Sequence, residues 1–401
     1  MMYGQNTREI RLSQILINES FVSGYADKAA GDLDALRRLE EEGKTEQARR
    51  LLKETVERCS NGANTVLFDA KGLPSVMVIV PAIRGSEMPE GIHRKGVHPA
   101  FRVGKRTIRR VYVSKYINCL ADGTAVSLPM SEPARVPCFD EAVKRLRGKG
   151  AGWMLMPVSL RAAILLRGLA RGRLISGNTD NGQDYYQRRE TGVLTESGTV
   201  LTGSGPAGWT HNGRRDGIWD LVGNLNEWDS GLRLMDGEIQ LMDTEAMMNP
   251  ECDYGKNSPL WHALDERGEA AAPGAPGTLR FDGEDGKILV TKEARSERVG
   301  NCAFRDVEMA PGLRAPEPLK LLGLLPPLSG LSERLGWRWI STAGEALPLS
   351  GGAFRITFHS GPFFMGLTKP RDADYPLSGV RTVYYSPEDM REVEHAKEDD
   401  G

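Results

Sequence analysis

Glycine is the residue that most constrains the fold of this chain. Forty-six of its 401 residues are glycine, which is about 11% against a usual ~7%. After residue 172, glycine combines with asparagine and tryptophan in segments such as SGNTDNGQDYY and GSGPAGWTHNGRRDG. Long ordered loops of this kind are uncommon, and they usually serve a function or cover something. The sequence therefore predicts many turns and long structured loops, and it argues against a helical bundle.

The charge balance and the apolar stretches exclude several classes of protein. The chain carries 52 Lys and Arg against 54 Asp and Glu, so neither a basic nucleic-acid binder nor an acidic disordered solubiliser is expected. Its longest apolar stretches, AAILLRGLA and LKLLGLLPPL, are shorter than the ~18–20 residues of a membrane span. The first twenty residues lack the apolar core of a secretory signal. We therefore predict no nucleic-acid partner, no membrane insertion and no signal peptide.

The cysteines are scattered and form no recognisable framework. The sequence has five of them and no CxxC pair. An odd number without regular spacing favours free thiols made in a reducing cytoplasm. The nearest Cys–His combination, Cys252 and His262, lacks the second pair of ligands that a zinc site needs. We predict no zinc site.

The N-terminal region, residues 1–62, is predicted to be an arm followed by a helical hairpin. Asp27 can cap a first helix that ends at Gly43, and Thr45 can cap a second helix that ends near Asn61. The outer faces carry runs of charge, which is typical of a solvated hairpin. A trimerising or docking helix is the alternative, because the apolar stripe is thin for a hairpin that stands alone.

The rest of the chain divides into three further parts that differ in composition and in residue pattern. Residues 63–130 contain β-branched, alternating stretches at 65–70, 75–80 and 107–118, which predict a small β-rich region. Residues 131–385 are predicted to form the main domain, with helices before and after a short strand near 152–156 and an insertion at about 245–330. Residues 386–401 are predicted to be a polar tail.

Two segments stand out in the main domain, residues 216–240 and residues 336–385. The first contains Trp219 and Trp228, large rigid side chains that can stabilise a fold with little regular structure. Gly217 and Gly223 permit turns with positive φ. The second segment holds four of the ten phenylalanines of the chain, interleaved with charged and polar residues.

Three short motifs in these segments carry a family resemblance. They are GIWDLVGNLNEW at 217–228, SGGAF at 350–354 and GVR at 379–381. In this order they resemble the formylglycine-generating-enzyme-like (sulfatase-modifying factor) branch of the C-type lectin fold. The run GKGAGWMLMPVSLRAA is similar to a degraded form of the family's helix entry. Ser350, Ala353 and Phe354 depart from the family's Arg, Ser and Trp.

The resemblance covers roughly residues 135–385 and has implications for fold and cofactors. It implies an α+β protein of C-type lectin fold with much irregular loop, preceded here by the helical hairpin and the small β-rich region. Related sites in this fold bind calcium, so Asn224 and Glu227 are candidates for a structural calcium ion. The alternative is that both residues bond backbone groups in the loop. No other cofactor is predicted.

The enzymatic members of this family place their chemistry between the second and third motifs. They use two cysteines there to oxidise a cysteine of the substrate, and a sister branch uses a histidine-based iron site. In this chain, residues 350–381 contain no cysteine and one histidine, His359. Without a thiolate pair or a second imidazole, oxidase chemistry is predicted to be absent.

Residues 351–368 also resemble a second branch of the fold. This branch comprises the variable proteins of diversity-generating retroelements, which include phage tail receptor-binding proteins. The resemblance implies that Gly352, Phe354, Gly361, Phe363 and Leu367 are fixed and face the core. The residues predicted to face a ligand are Ala353, Arg355, Ile356, Phe358, His359, Gly366, Thr368, Arg371, Asp374 and Tyr375. Exposed aromatic residues mixed with Arg, His and Tyr are good contact anchors, although the phenylalanines could instead form an alternating core strand.

These observations predict a non-enzymatic ligand-binding protein. The resemblance points to a phage or prophage tail, in which the protein, made in the host cytoplasm, recognises a bacterial surface receptor, either protein or glycan. Residues 1–130 would contact other tail proteins and form a homo-oligomer such as a trimer, which strengthens weak binding through avidity. The alternatives are an oxidase of the formylglycine-generating type and an intracellular module that binds a fixed protein partner.

Overall fold

The computed structural model describes residues 10–284, 286–295 and 297–392, and it has a mixed α+β fold with many loops. The helices are α1 Leu12–Ser23, α2 Ala26–Glu41, α3 Thr45–Cys59, α4 Phe139–Arg147, α5 Val158–Ala170, α6 Thr244–Met247 and α7 Glu317–Leu321. None of these described helices is both long and apolar enough to span a membrane.

The strands are short and run through the whole described chain. The first nine are β1 Asn64–Phe68, β2 Pro74–Pro81, β3 Arg102–Val103, β4 Arg106–Ile108, β5 Arg110–Ser114, β6 Cys119–Ala121, β7 Thr124–Val126, β8 Trp153–Leu155 and β9 Asn226–Trp228. The next eight are β10 Leu232–Met235, β11 Glu238–Leu241, β12 His262–Leu264, β13 Ala270–Ala271, β14 Arg280–Glu284, β15 Lys287–Thr291, β16 Val299–Ala303 and β17 Glu308–Met309. The last six are β18 Trp337–Ser341, β19 Glu345–Ser350, β20 Met365–Lys369, β21 Ser378–Val380, β22 Thr382–Tyr384 and β23 Met390–Glu392.

The two predicted N-terminal helices are present as α2 and α3, and a third helix precedes them. Helix α1 begins inside the segment predicted to be an arm, whose residues 1–9 lie outside the described part. Its polar residue Glu19 is fully buried and bonds the equally buried Lys115 at 2.6 Å. A buried carboxylate on the core-facing side breaks the apolar periodicity from which a helix is predicted.

A five-stranded sheet joins parts of the chain that the sequence separates. Its order is β1-β2-β5-β22-β8, and all its pairings are antiparallel. Strands β1, β2 and β5 come from the predicted β-rich region, whereas β8 and β22 come from the predicted main domain. The sheet therefore crosses the predicted boundary near residue 130.

The larger sheet holds the candidate site. Its main path runs β16-β18-β20-β19-β10-β11-β14-β15-β17, and β9 pairs with both β19 and β21. Strands β14 to β17 belong to the predicted insertion at 245–330, so that segment extends the sheet. The described start of the predicted tail forms β23, which pairs with β4, and residues 393–401 lie outside the described residues.

Three tryptophans, Trp209, Trp219 and Trp228, are fully buried. The Trp228 indole donates to the carbonyl of Val136 at 3.1 Å and meets the ring of Phe139 edge-on. These rings supply apolar contact where regular structure is sparse.

Candidate ligand-binding site

The first and third sequence motifs meet at a buried ion pair behind the candidate site. Arg381 donates to both carboxylate oxygens of Glu227, with Nη2 at 2.6 Å from Oε1 and Nε at 2.9 Å from Oε2. Arg161 donates to the same carboxylate from the other side. Burial alone would raise the pKa of Glu227, but the charges of Arg381 and Arg161 hold it below its usual value. The Glu227 carboxylate is therefore ionised and fully engaged.

Asn224, the other predicted calcium ligand, forms hydrogen bonds with the backbone of a neighbouring loop. Its Oδ1 accepts from the backbone N–H of Val200 at 2.9 Å, and its Nδ2 donates to the carbonyl of Val200 at 3.1 Å. Its backbone adopts a φ of 62°, which asparagine tolerates better than most residues. Since Asn224 and Glu227 are committed to protein groups, and Glu227 faces two cations, the pair does not fit a calcium site. The described residues contain no group of three His, Cys, Asp or Glu side chains placed to hold a metal.

Three adjacent strands form the floor of the candidate site, and one of them, β19, pairs with β9, which carries Glu227. Trp339 of β18 pairs with Gly366 of β20, which in turn pairs with Leu349 of β19. On β20, Met365 and Leu367 are buried toward the core, whereas Thr368 is partly exposed. Because side chains alternate along a strand, Gly366 and Thr368 share the outer face.

A tightly held loop, residues 353–359, forms the rim. The backbone of Phe354 bonds Asn181 at 2.8 Å and Asn224 at 3.2 Å, and its ring is fully buried. Thr357 has a φ of 54° and donates its N–H to the carbonyl of Thr179 at 2.9 Å. The loop is a turn followed by the 3-10 helix Thr357–His359, not the alternating core strand considered as an alternative.

Floor and rim enclose a cavity of about 500 Å³, within the usual range of ~300–1,000 Å³ for ligand sites. Six of the ten residues predicted to face a ligand line it, and they are Arg355, Ile356, His359, Gly366, Thr368 and Tyr375. Six further residues complete the lining, and they are Asn226, Trp339, Leu349, Thr357, Phe364 and Lys369. We refer to this space as the rim cavity.

The polar groups of the rim cavity are cationic or neutral. Arg355 and Lys369 have no acidic partner among the described residues, and each cation lies over a ring, that of Phe354 at 5.0 Å and that of Tyr375 at 5.4 Å. Asn226 donates from Nδ2 to the Tyr375 hydroxyl at 3.4 Å. The Oδ1 of Asn226 has no hydrogen-bond partner within the described residues.

His359 is held at the edge of the rim cavity by aromatic neighbours. Its ring lies 4.5 Å from that of Trp337 and 5.6 Å from that of Trp339, both edge-on, and 3.9 Å from that of Phe358. Its Nδ1 is 3.3 Å from the carbonyl of Ile356. Burial lowers the pKa of His359 below its usual value, against the raising effect of that backbone contact. The imidazole is therefore neutral near pH 7.

Four predicted contact residues do not join this lining. Ala353 is fully buried in the core, because the loop turns inward at Phe354. Arg371 lies in another groove, where it donates to Glu345 at 2.8 Å and to Asp140 at 3.1 Å. Asp374 is exposed outside the rim cavity.

Phe358, the fourth, faces a second cavity of about 460 Å³. Trp337, Tyr185 and Tyr186 also line this second cavity. The rings of Trp337 and Phe358 meet edge-on there. Phe358 is 38% exposed, so it is a surface residue as predicted but belongs to a different space.

The missed lining residues had partial signals in the sequence. Trp339 lines the rim cavity, and it alternates with Trp337 in GWRWIS, a pattern typical of one strand face. Phe364 precedes β20 and is 6% exposed, so hydrophobicity alone places it in the core. Asn226 lies inside the first motif, next to Glu227, but only the pairing of β9 with β19 brings it near the floor.

All five cysteines of the chain are free, and four of them are buried. Burial raises the pKa of Cys119 and of Cys302 to about 11 and that of Cys252 to about 12. None of the twelve described residues that line the rim cavity is a cysteine, an aspartate or a glutamate. The rim cavity thus offers recognition groups and no reactive thiolate.

Comparison with models of known protein families gave no match, and comparison with curated proteins gave none either. The resemblance to the C-type lectin fold therefore stays a prediction that depends on the three motifs. In the structure, the first and third of these motifs contact each other through Glu227 and Arg381.

Proposed function

We propose that this chain is a non-enzymatic ligand-binding protein whose contact surface is centred on the rim cavity. The observation that carries the proposal is the convergence of six predicted contact residues on one cavity. They come from two chain segments, 355–359 and 366–375. The hydrogen-bonded loop 353–359 and three strands hold them in place. Rigid aromatic residues beside an arginine are typical of binding hot spots.

The lining favours binding over catalysis. The rim cavity contains a single imidazole, and the described residues that line it include no thiol or carboxylate. General acid–base and nucleophilic mechanisms normally place such a group against a second one that activates it. His359 contacts a backbone carbonyl and aromatic rings instead.

The finer assignment rests on the resemblance. We propose a C-type-lectin-type fold with a variable-protein type of display surface, in the tail of a phage or prophage, for recognition of a bacterial surface receptor. The pairing of Glu227 with Arg381 supports the fold assignment, because it joins the first and third motifs. Helices α1 to α3 would serve docking and oligomerisation.

A cell-binding experiment tests this function. Fluorescently labelled protein is incubated with a panel of bacterial strains, and bound protein is measured by flow cytometry. We expect the wild type to bind a subset of strains and the variant Arg355→Ala/His359→Ala/Tyr375→Ala to lose that binding with little change in Tm. The control variant Arg214→Ala/His93→Ala changes exposed residues elsewhere and should bind normally.

Two outcomes would overturn the proposal. One is cell binding that survives the triple substitution unchanged in a folded protein. The other is turnover of a cysteine-containing peptide by the copper-loaded protein, which would favour the oxidase alternative. A wild type that binds no strain in the panel also counts against a host-recognition role.

A further inference from the structure

The rim cavity combines three features that together specify a ligand class. It has two cations without acidic partners, acceptor groups without donors, and an aromatic surface beside a glycine. The inference deepens the proposed function and rests on it, because it concerns the same cavity.

The two cations of the rim cavity indicate that the ligand carries an anionic group. Arg355 and Lys369 line one cavity, and neither forms an ion pair with a described residue. Their positions over the rings of Phe354 and Tyr375 restrict both side chains, which lowers the entropy lost when a ligand binds. Arginine can hold a carboxylate through two parallel hydrogen bonds.

The hydrogen-bond acceptors of the rim cavity indicate that the same ligand carries hydrogen-bond donors. The Oδ1 of Asn226 has no partner among the described residues. When His359 donates from Nδ1 to the carbonyl of Ile356, its Nε2 becomes an acceptor. Hydroxyl groups satisfy such acceptors, whereas a simple aromatic acid or inorganic phosphate at neutral pH offers few donors or none.

The aromatic surface of the rim cavity indicates that the ligand has a flat apolar face. Trp339 pairs with Gly366 on the neighbouring strand, which contributes no side chain to the floor there, and the ring of Phe364 lies 3.9 Å from where a Cβ of residue 366 would be. The edge-on contact with His359 fixes the orientation of that indole. The C–H face of a sugar ring has the shape and polarity to pack on such a surface, and the neighbouring cations and acceptors can reach its substituents.

We propose that the rim cavity binds an acidic sugar unit, a pyranose that carries a carboxylate, of the kind found in surface polysaccharides. The carboxylate pairs with Arg355 and Lys369, the hydroxyls donate to Asn226 and His359, and the C–H face packs on Trp339. A volume of about 500 Å³ accommodates one or two such units. A neutral sugar leaves both cations unpaired, and a peptide carboxyl terminus lacks the ring hydroxyls.

The test is isothermal titration calorimetry with defined saccharides. The probes are short oligomers of galacturonate, glucuronate and N-acetylneuraminate, with neutral galactose and glucose oligomers of equal length. Inorganic phosphate and a short peptide with a free carboxyl terminus complete the set. We expect at least one acidic oligomer to bind, its neutral counterpart to bind at least about tenfold more weakly, and the affinity to fall as salt is added.

Matched variants locate the binding. Arg355→Gln/Lys369→Gln should weaken the acidic oligomer by about tenfold or more and leave any neutral sugar unaffected. Arg214→Gln/Lys28→Gln removes two exposed cations elsewhere and should bind like the wild type. Acidic oligomers that do not bind, equal binding of the neutral oligomers, or tighter binding of phosphate or the peptide would each overturn the inference.

The two proposals fail in different ways. If the triple alanine variant loses cell binding but no acidic oligomer competes with cells for the wild type, the acidic-sugar inference is wrong and the binding function remains. If the triple variant binds cells as the wild type does, the proposed function itself is wrong.

Discussion

Arg381 and Glu227 form a buried two-point ion pair across 154 positions of sequence. Arg381 follows directly after β21, whose residues pair with β9, and Glu227 is the central residue of β9. Nη1 of Arg381 donates to the carbonyl of Ser114, and Nη2, which also bonds Glu227, donates to the carbonyl of Trp219. This contact fixes β9, and with it Asn226 at the back of the rim cavity, relative to the five-stranded sheet.

The substitution Arg381→Met should destabilise the protein by about 3–5 kcal/mol, because it leaves the Glu227 carboxylate buried with only Arg161 as a partner. The free energy of unfolding in urea measures this loss. Arg188→Met is the matched control, since the Arg188 side chain is 56% exposed in its ion pair with Asp180 and the pair should contribute less than about 1 kcal/mol.

A double substitution distinguishes the loss of the charge interaction from the loss of packing. Arg381→Met combined with Glu227→Gln should cost less than the sum of the two single changes, because no unpaired carboxylate remains. Strict additivity of the two effects would contradict the interpretation that the charges interact.

Trp228→Ala should destabilise the protein by about 3–5 kcal/mol, as the removal of a large buried aromatic side chain generally does. The indole is fully buried and its N–H bonds a carbonyl. Phe358→Ala, at a half-exposed ring, should cost only about 1 kcal/mol. Equal losses for the two variants in a urea titration would mean that Trp228 does not brace the core.

The sequence predicted the elements whose signals are local. Helices α2 to α5, apart from their exact ends, follow from apolar periodicity, although the predicted caps Asp27 and Thr45 lie inside α2 and α3 and do not cap them. The strands of residues 64–81 follow from β-branched alternation. Helix α1 was missed because its core-facing Glu19 is neutralised by Lys115, a residue 96 positions away. The extent of the five-stranded sheet was missed for the same reason, since β22 and β1 have no local signal for sharing a sheet.

The sequence predicted several residues of the candidate site, but it did not predict how they are arranged in space. Arg355, His359 and Tyr375 were expected on one accessible surface, and all three line the rim cavity. Arg371 was expected beside them, but Glu345 and Asp140 hold it in another groove. The distances between strands and the partners of long charged side chains depend on tertiary packing, which a motif does not encode.

Asp220 should make the stability of this protein depend on pH. Burial raises its pKa from 3.8 to about 7, although the charge of Arg381 opposes this shift. The folded state therefore holds the proton more tightly than the unfolded chain does. The resulting stabilisation is complete below pH 3.8 and is lost as the pH rises through 7.

Asp220→Asn removes this titration without changing the shape of the side chain. Asparagine also tolerates the φ of 58° at this position. Relative to the wild type, the variant should gain about 2–4 kcal/mol in free energy of unfolding between pH 4 and pH 8. Urea titrations of both proteins at pH 4.5, 6 and 8 measure the difference. A difference that stays constant with pH would show that Asp220 is not protonated in the folded state.

Gly366→Val should fill the floor of the rim cavity and block binding while the fold persists. A Cβ at residue 366 would lie 3.9 Å from the carbonyl oxygen of Leu349 and from the ring of Phe364, which is ordinary contact. Valine is also favoured in a strand such as β20. We expect little change in Tm and at least about a tenfold loss of affinity for cells, with a smaller loss for Gly366→Ala. Normal binding by a folded Gly366→Val protein would place the contact surface elsewhere, because no ligand could then reach the ring of Trp339.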